Sequence, residues 1–185
     1  ILSLANIQVL INKPLDALTN IEKLDVKHPL INSMKGSALH RANRFTEALP
    51  YLKTAYQAEP QSRISAMLFE SLIATNENEQ AIKHIKSHLA EFSDDTSNRV
   101  LYAFELAKTD RESAIDEYIQ VLNIQKNNVV VLNNLAWILY KEKQFKRAEF
   151  YIDKAKLLAP KSANINDSYQ KIKSAIKDND KVSGK

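Results

Sequence analysis

Apolar and polar residues along this chain recur with the period of an α-helix. In the stretch RFTEALPYLKTAYQAEP, residues 44–60, Ala48, Leu52 and Ala55 are four and three positions apart. This spacing places them on one helix face, with polar residues on the other. The stretch QFKRAEFYIDKAKLLAP, residues 144–160, has the same spacing. Both stretches therefore predict a helix that buries one apolar side.

The alanine of this pattern recurs at a nearly constant interval. From Ala48 the distances to Ala81, to Ala114 and on to Ala148 are 33, 33 and 34 residues, and Ala17 precedes Ala48 by 31. A proline follows the alanine by 12 residues in three of the five cases, at Pro29, Pro60 and Pro160. Since proline lacks a backbone donor and disfavours helix in the residue before it, each proline predicts a helix end. A repeated unit of two helices follows from these intervals.

We predict an all-α chain of about five helix pairs and a C-terminal capping helix. The predicted units are residues 1–28, 29–61, 62–94, 95–128 and 129–162, with the capping helix at 163–178 and a disordered tail at 179–185. Units 62–94 and 95–128 are the weakest, since His88 and Val121 replace the second alanine and Ser93 and Lys126 replace the proline. These two units are placed mainly by their interval from the others.

The turn inside each unit needs a residue that tolerates a left-handed backbone. Asn43 and Asn76 occupy this position in two units, and Asn tolerates that conformation best after Gly. Thr109 and Lys143 stand at the equivalent turns and suit it less well. Pro50 is expected near the start of a second helix, where its missing N–H costs little.

The unit resembles the tetratricopeptide repeat, or TPR. The segment VVVLNNLAWILYKEKQFKRAEFYIDKAKLLAPKS, residues 129–162, has the family's Asn-Leu in the first helix, Tyr-Lys before the turn, then two alanines and the proline. Unit 29–61 has the family's small residue as Gly36. The resemblance covers nearly the whole chain, and it implies a right-handed α-solenoid whose partners are proteins or peptides.

In TPR proteins the first helix of each unit lines the concave side, mainly through positions 2, 5, 6, 9, 12 and 13. The resemblance therefore implies a partner-binding surface made of Met34, Ser37, His40, Arg41, Arg63, Met67, Glu70, Arg99, Asn133, Asn134, Trp137, Tyr140 and Lys141. Rings beside amides and cations suit a peptide. Packing between helices is the alternative explanation for Trp137. No unit has both the lysine and the asparagine with which some TPR domains hold a terminal carboxylate.

A finer resemblance comes from the order of three segments: KGSALHRANRFTEALPYLKTAYQAEPQS, then HLAEFSDD, then AIDEYIQVLNIQKNNVVVLNNLAW. This order is similar to the PEP-CTERM-associated TPR lipoproteins of bacteria, which are linked to exopolysaccharide and exosortase loci. The resemblance implies export and a lipid anchor upstream of this chain, hence a periplasmic or outer-membrane location. Without it, a cytoplasmic location is expected.

The two ends of the chain differ in pattern. Residues 1–11 are apolar nearly all round, and the first residue is Ile1 rather than Met. We therefore expect a longer protein in which residues 1–11 pack against upstream TPR units. Residues 163–178 instead carry a single apolar stripe, as a capping helix should, at Ile165, Tyr169, Ile172 and Ile176.

Composition narrows the possible functions. Two glycines in 185 residues disfavour the tight turns of a Rossmann crossover or a hairpin-rich sheet, and the lack of cysteine excludes disulfides and thiol catalysis. No apolar run approaches the roughly 20 residues that span a bilayer, so we expect no membrane insertion by this part of the protein. The net charge is only +4, because 22 acidic residues offset most of the 26 basic ones. Such a mixed, modest charge argues against a nucleic-acid partner.

Residue pairs with catalytic or metal-binding potential are few. His84 and His88 have a spacing that can chelate zinc, but no third ligand is evident and His88 replaces a packing alanine. Helix capping explains Asp94 and Asp95. We expect no catalytic residues, no metal and no cofactor, and hence a non-enzymatic scaffold. The alternatives are a structural or self-associating array, and an RNA-binding protein favoured only by the pI of about 9.1.

Overall fold

The computed structural model describes residues 13–23 and 29–182. Regular secondary structure in these ranges is entirely α-helical, which confirms the prediction of an all-α chain. The helices, numbered here in chain order, are α1 (Pro14–Glu22), α2 (Pro29–Arg41), α3 (Phe45–Ala58), α4 (Ser62–Ala74), α5 (Asn78–Glu91), α6 (Thr96–Leu106), α7 (Arg111–Ile124), α8 (Val129–Lys141), α9 (Phe145–Leu158) and α10 (Ala163–Val182). The predicted apolar helix at residues 1–11 lies outside the described residues.

The chain forms two compact units, residues 1–98 and 99–185, which we call the first and the second unit. The shorter predicted repeats are identified by their residue ranges. In the described part of the first unit, α2 packs on α1 and α3, and α4 packs on α3 and α5. Helix α2 also contacts α4, so the first helices of successive pairs lie side by side. In the second unit, α8 packs in the same way on α7, α9 and α10. Each unit is thus a stack of helix pairs, as the repeat interval predicts.

Small residues allow the helices to approach closely. The repeated alanines are all completely buried: Ala17, Ala48, Ala81, Ala114 and Ala148. At Gly36, on α2, an added Cβ would lie 2.8 Å from Cδ2 and 3.1 Å from the backbone nitrogen of Leu52 on α3. These distances leave no room for a methyl group, so α2 and α3 touch at this glycine.

Three turns inside the helix pairs have one conformation. Asn43, Asn76 and Lys143 have φ angles of 58°, 61° and 57°. After each helix, the N–H of the left-handed residue bonds three residues back and the next N–H bonds five back, for example from Arg44 to the carbonyl of Leu39. This Schellman pattern satisfies carbonyls at the helix end. The turn at Thr109 differs, since α6 ends at Leu106 and Asp110 N–H bonds that carbonyl at 2.7 Å.

Two elements differ from the prediction in their extent. Pro50 lies inside α3, six residues into the helix rather than near its start, so α3 lacks one backbone bond there. Helix α10 continues to Val182, four residues beyond the predicted end at 178. The sequence has no proline or glycine before Gly184 to stop that helix, and Lys181 pairs with Asp178 at 3.4 Å within its last turns.

Candidate functional site

A cavity of about 330 Å³ opens in the second unit between α6, α8 and α10. Three predicted groove residues line it together: Asn133, Asn134 and Trp137. The other lining residues are Phe104, Ala107, Tyr118, Ile138, Asp167, Ser168 and Lys171. We call this surface the α8 groove. Its volume lies within the range of about 300–1,000 Å³ that ligand pockets have.

Helix α8 presents these side chains because its opposite face is buried. Leu135 and Leu139 are completely buried, whereas Asn133 and Trp137, one turn apart, are half-buried. The helix begins at a fixed point, because the side-chain oxygen of Asn128 accepts a 3.1 Å bond from the N–H of Val131. The groove side chains therefore stand on a well-anchored helix.

The two asparagines have different hydrogen-bonding states. Asn134 Nδ2 donates to the hydroxyl of Tyr118 at 3.3 Å. Burial raises the pKa of Tyr118 while this hydrogen bond lowers it, and burial dominates, so the phenol stays neutral. Among the described residues, Oδ1 of Asn133 has no donor, although it is screened from solvent. The Asn134 side chain therefore links α8 to α7, whereas Asn133 retains an acceptor without a donor beside the groove.

Aromatic and charged side chains surround these amides. Phe104 is 57% exposed, and the rings of Trp137 and Tyr140 lie 5.4 Å apart. Lys141 Nζ stands 5.0 Å from the centre of the Trp137 ring, within reach of a cation–π contact. Trp137 also packs against the core of the unit, so it has both the packing role and the groove position considered for it.

An ion pair between Lys171 and Asp167 lies on the α10 side of the groove, with Nζ and Oδ2 2.8 Å apart.

Arg99 does not lie on an open surface, as its position in the repeat predicts. Only 7% of it is exposed, and its Nη1 pairs with Glu117 at 2.5 Å, so its charge is directed into the fold.

The predicted residues of the first unit lie on α2 and α4. Met34, Ser37 and Met67 are buried, whereas Arg41, Arg63 and Glu70 are exposed and His40 is half-buried. The structure brings two pairs together: Arg63 Nη2 donates to Ser37 Oγ at 3.2 Å, and His40 Nε2 lies 3.0 Å from Glu70 Oε2. Burial, with a smaller effect from the charge of Arg41, lowers the pKa of Arg63.

The prediction missed Phe104, Ala107, Tyr118, Ile138, Asp167, Ser168 and Lys171. A signal existed for the three on α10: counted from residue 163, they occupy positions 5, 6 and 9, as Asn133, Asn134 and Trp137 do in unit 129–162. Treating α10 only as a cap concealed that register. Phe104 follows the expected position by one residue, and no sequence signal places the second-helix residue Tyr118 in the groove.

His84 and His88 are held by neighbours within the first unit. His88 is 1% exposed, and its two ring nitrogens lie 2.8 Å from the Tyr56 hydroxyl and 2.8 Å from Asp95 Oδ2. His84 Nε2 lies 3.0 Å from Ser65 Oγ. Within residues 13–23 and 29–182, no three His, Asp or Glu side chains form a cluster that could hold a metal ion.

Asp95 links this cluster to the start of α6. Its Oδ1 accepts from the N–H of Asn98 at 3.1 Å, which caps the helix as predicted. Burial alone would raise the pKa of Asp95, but hydrogen bonds from His88, Asn98 and Ser62 together outweigh burial and lower it to about 2. Asp95 is therefore ionised at neutral pH, and it stabilises the fold by binding His88 and capping α6.

Comparison with known proteins agrees with this architecture. Family models of the tetratricopeptide repeat match residues 39–99 and 129–162, which is about half of the chain. The structure of YrrB, a TPR protein with an unusual peptide-binding site, superposes with a TM-score of 0.71 at 17% identity, covering 91% of this chain and 90% of YrrB.

Two further solved structures show the same fold. The C-terminal part of a TPR protein from Cytophaga hutchinsonii gives a TM-score of 0.78 at 13% identity, over 93% of this chain and 78% of that one. MamA from Desulfovibrio magneticus RS-1 gives 0.73 at 13% identity, over 87% and 94%. The search of curated proteins by sequence found no match.

In the part of the chain that the structure describes, each helix is either too short or too polar to cross a membrane. TPR arrays generally serve as scaffolds that bind proteins or peptides, and their fold is typically non-catalytic. Both the matched repeats and the stacked helix pairs lead to one assignment: this chain belongs to the tetratricopeptide repeat superfamily.

Proposed function

We propose that this protein is a non-catalytic scaffold that binds an extended peptide segment of a partner in the α8 groove. The observation that carries the proposal is the groove itself, in which one exposed ring and one half-buried ring lie beside an acceptor that has no donor. Phe104 and Trp137 offer apolar surface, and Asn133 offers the acceptor. YrrB, which has a similar fold, is a TPR protein with a peptide-binding site. This similarity supports the proposal that the fold binds a peptide here.

Each part of the groove has a distinct role in this proposal. An apolar side chain of the peptide packs against Phe104 and Trp137, which removes their exposed surface from water. Because Oδ1 of Asn133 is screened from solvent in the free protein, the Asn133 amide turns towards the groove and accepts a hydrogen bond from a backbone N–H of the peptide. A buried acceptor without a donor costs about 1–3 kcal/mol, so this bond would recover a penalty present in the free protein.

The exposed residues of the first unit form a second proposed contact surface, made of Arg41, Arg63 and Glu70. This surface is polar, so it would contribute to partner choice more than to affinity. The similarity to PEP-CTERM-associated lipoproteins further leads us to propose a partner within a bacterial exopolysaccharide or protein-sorting system, with a lipid anchor and more TPR units upstream.

The test begins with peptides selected on the whole chain from a random display library. Trp137 is the single tryptophan of the protein and lines the groove, so its fluorescence reports on binding there. We expect selected peptides to carry a large apolar residue and to shift the Trp137 emission. Affinity should fall about tenfold or more in Phe104→Ala and in Asn133→Ala, because each loses a central contact.

Two matched variants control for general effects. Phe150 is 63% exposed and lies outside the groove, so Phe150→Ala is the control for Phe104→Ala. Asn127 is an exposed asparagine between α7 and α8, so Asn127→Ala is the control for Asn133→Ala. If the groove variants bind as tightly as the wild type while keeping its melting temperature, the groove is not the binding site.

A further inference from the structure

Helix α9 has a second apolar face that the fold does not cover. Its core face is made of Ala148, Ile152 and Ala155, all completely buried. On the opposite side, Phe150 is 63% exposed and Leu157 is 80% exposed. Residues seven apart lie on the same side of a helix, so these two side chains protrude in the same direction.

The two acidic side chains of α9 share one cation. Glu149 Oε1 lies 2.6 Å and Asp153 Oδ1 2.8 Å from the same amine, Nζ of Lys173 on α10. Glu142, just before α9, pairs with Arg111 at 2.8 Å. The three carboxylates and their two cations therefore leave one negative charge, which the four basic side chains of α9 outnumber.

The basic side chains of α9 keep their charge. Arg147 Nη1 donates to the neutral side chain of Gln144 at 2.6 Å, and Lys154 Nζ donates to the backbone carbonyl of Lys126 at 2.7 Å. Lys146 is exposed and forms no ion pair among the described residues. Lys146, Phe150, Lys154 and Leu157 follow one another at intervals of four, four and three residues, which makes one stripe along the helix.

We propose that this stripe binds the surface of a membrane rich in anionic lipids. The lysines and Arg147 would contact the headgroups, while Phe150 and Leu157 would enter the interface between headgroups and acyl chains. A single exposed apolar residue is ordinary, but two on one face, bordered by cations without a carboxylate partner, combine the apolar and electrostatic attractions by which interfacial helices bind.

A fluid lipid interface suits this stripe better than a protein partner does. Phe150 and Leu157 are about 10 Å apart along the helix, with Lys154 between them. A protein would need two separate pockets with a negative site between them, whereas lipids rearrange around each side chain. The attraction to anionic headgroups also grows with each added cation near the surface.

The test is co-sedimentation of the full chain with vesicles of phosphatidylcholine, alone or mixed with phosphatidylglycerol. We expect binding only to the mixed vesicles, and weaker binding as salt rises. The double variant Phe150→Ser, Leu157→Ser should bind about tenfold or more weakly. The triple variant Lys146→Gln, Arg147→Gln, Lys154→Gln should lose most of the preference for phosphatidylglycerol.

Phe104→Ser is the matched control, because Phe104 is similarly exposed but lies in the α8 groove. It should bind vesicles like the wild type, and circular dichroism should show all variants folded. Equal binding to both vesicle types, or equal loss in the control, would overturn the proposal. If no vesicles bind, the proposal fails and an acidic protein becomes the remaining candidate for this face. The peptide-binding test is unaffected by either result.

Discussion

The repeats at 62–94 and 129–162 are both helix pairs, but they depart from the TPR pattern at different positions. The first departs in its second helix, and the other departs in its turn. In the second helix of the latter, Ala155 is completely buried against its neighbours. The equivalent position of the former is His88, which is 1% exposed. A ring thus occupies a site made for a methyl group, and it remains there because Tyr56 and Asp95 bond both of its nitrogens.

In the turns, repeat 62–94 follows the pattern and repeat 129–162 departs from it. Repeat 62–94 has Asn76 in the left-handed position, where Asn is well tolerated, and repeat 129–162 has Lys143 there with nearly the same φ. Each repeat therefore combines one favourable choice with one costly choice. The comparison teaches that a departure from the pattern is tolerated where neighbours supply either hydrogen bonds or enough packing to offset it.

The largest effect is expected when the histidine is placed in the repeat that lacks its partners. Ala155→His should lower the free energy of unfolding by about 3 kcal/mol or more, because the ring overpacks a filled site and brings unsatisfied nitrogens with it. Urea denaturation followed by circular dichroism measures this change.

The reciprocal variant His88→Ala serves as the control for that exchange. It should cost less, about 2–3 kcal/mol, since it leaves a cavity and removes a donor from Asp95. If Ala155→His is tolerated better than His88→Ala, the partners of His88 do not explain its presence.

A smaller, pH-dependent effect is expected at Asp95. Its pKa of about 2 in the folded protein lies below the ordinary value of 3.8, so the ionised form stabilises the fold above about pH 4. This contribution is lost as the pH falls from about 4 towards 2. Asp95→Asn should therefore cost about 1–2 kcal/mol at pH 7, after allowance for solvent screening.

The measurement for Asp95 is the unfolding free energy of wild type and Asp95→Asn across this pH range. The two curves should converge near pH 2. Asp94→Asn, at the exposed neighbouring residue, should leave the wild-type curve almost unchanged. A constant gap between wild type and Asp95→Asn down to pH 2 would contradict the role of the charge.

The smallest effect concerns the turn. Lys143→Gly should stabilise the protein by about 0.5–1 kcal/mol, because glycine adopts the left-handed conformation without the strain of a side chain. Asn76→Gly should change stability less, since Asn already tolerates this backbone. Thermal denaturation of the two variants compares them directly, and a larger gain at Asn76 than at Lys143 would contradict this account.

The candidate site was predicted only in part. Positions 5, 6 and 9 of unit 129–162 indicate Asn133, Asn134 and Trp137, and these three line one cavity because i, i+1 and i+4 spacing keeps residues on one side of a helix; their role in binding stays a prediction. The same rule failed at Arg99, since no helical register shows that Glu117 lies within reach of it. It also left out Tyr118, which enters the groove from a second helix.

By itself, the sequence determined the helix pairs, their interval, the buried alanines and the stripes that face the core, because these follow from the helical period and from side-chain size. Only the tertiary structure decided which polar groups are consumed by neighbours and which are left over. Asn133 and Asn134 are adjacent and identical, yet one bonds Tyr118 and the other has an acceptor without a donor. Hydrogen bonds and ion pairs depend on distances of about 3 Å between distant parts of the chain, and no local pattern encodes those distances.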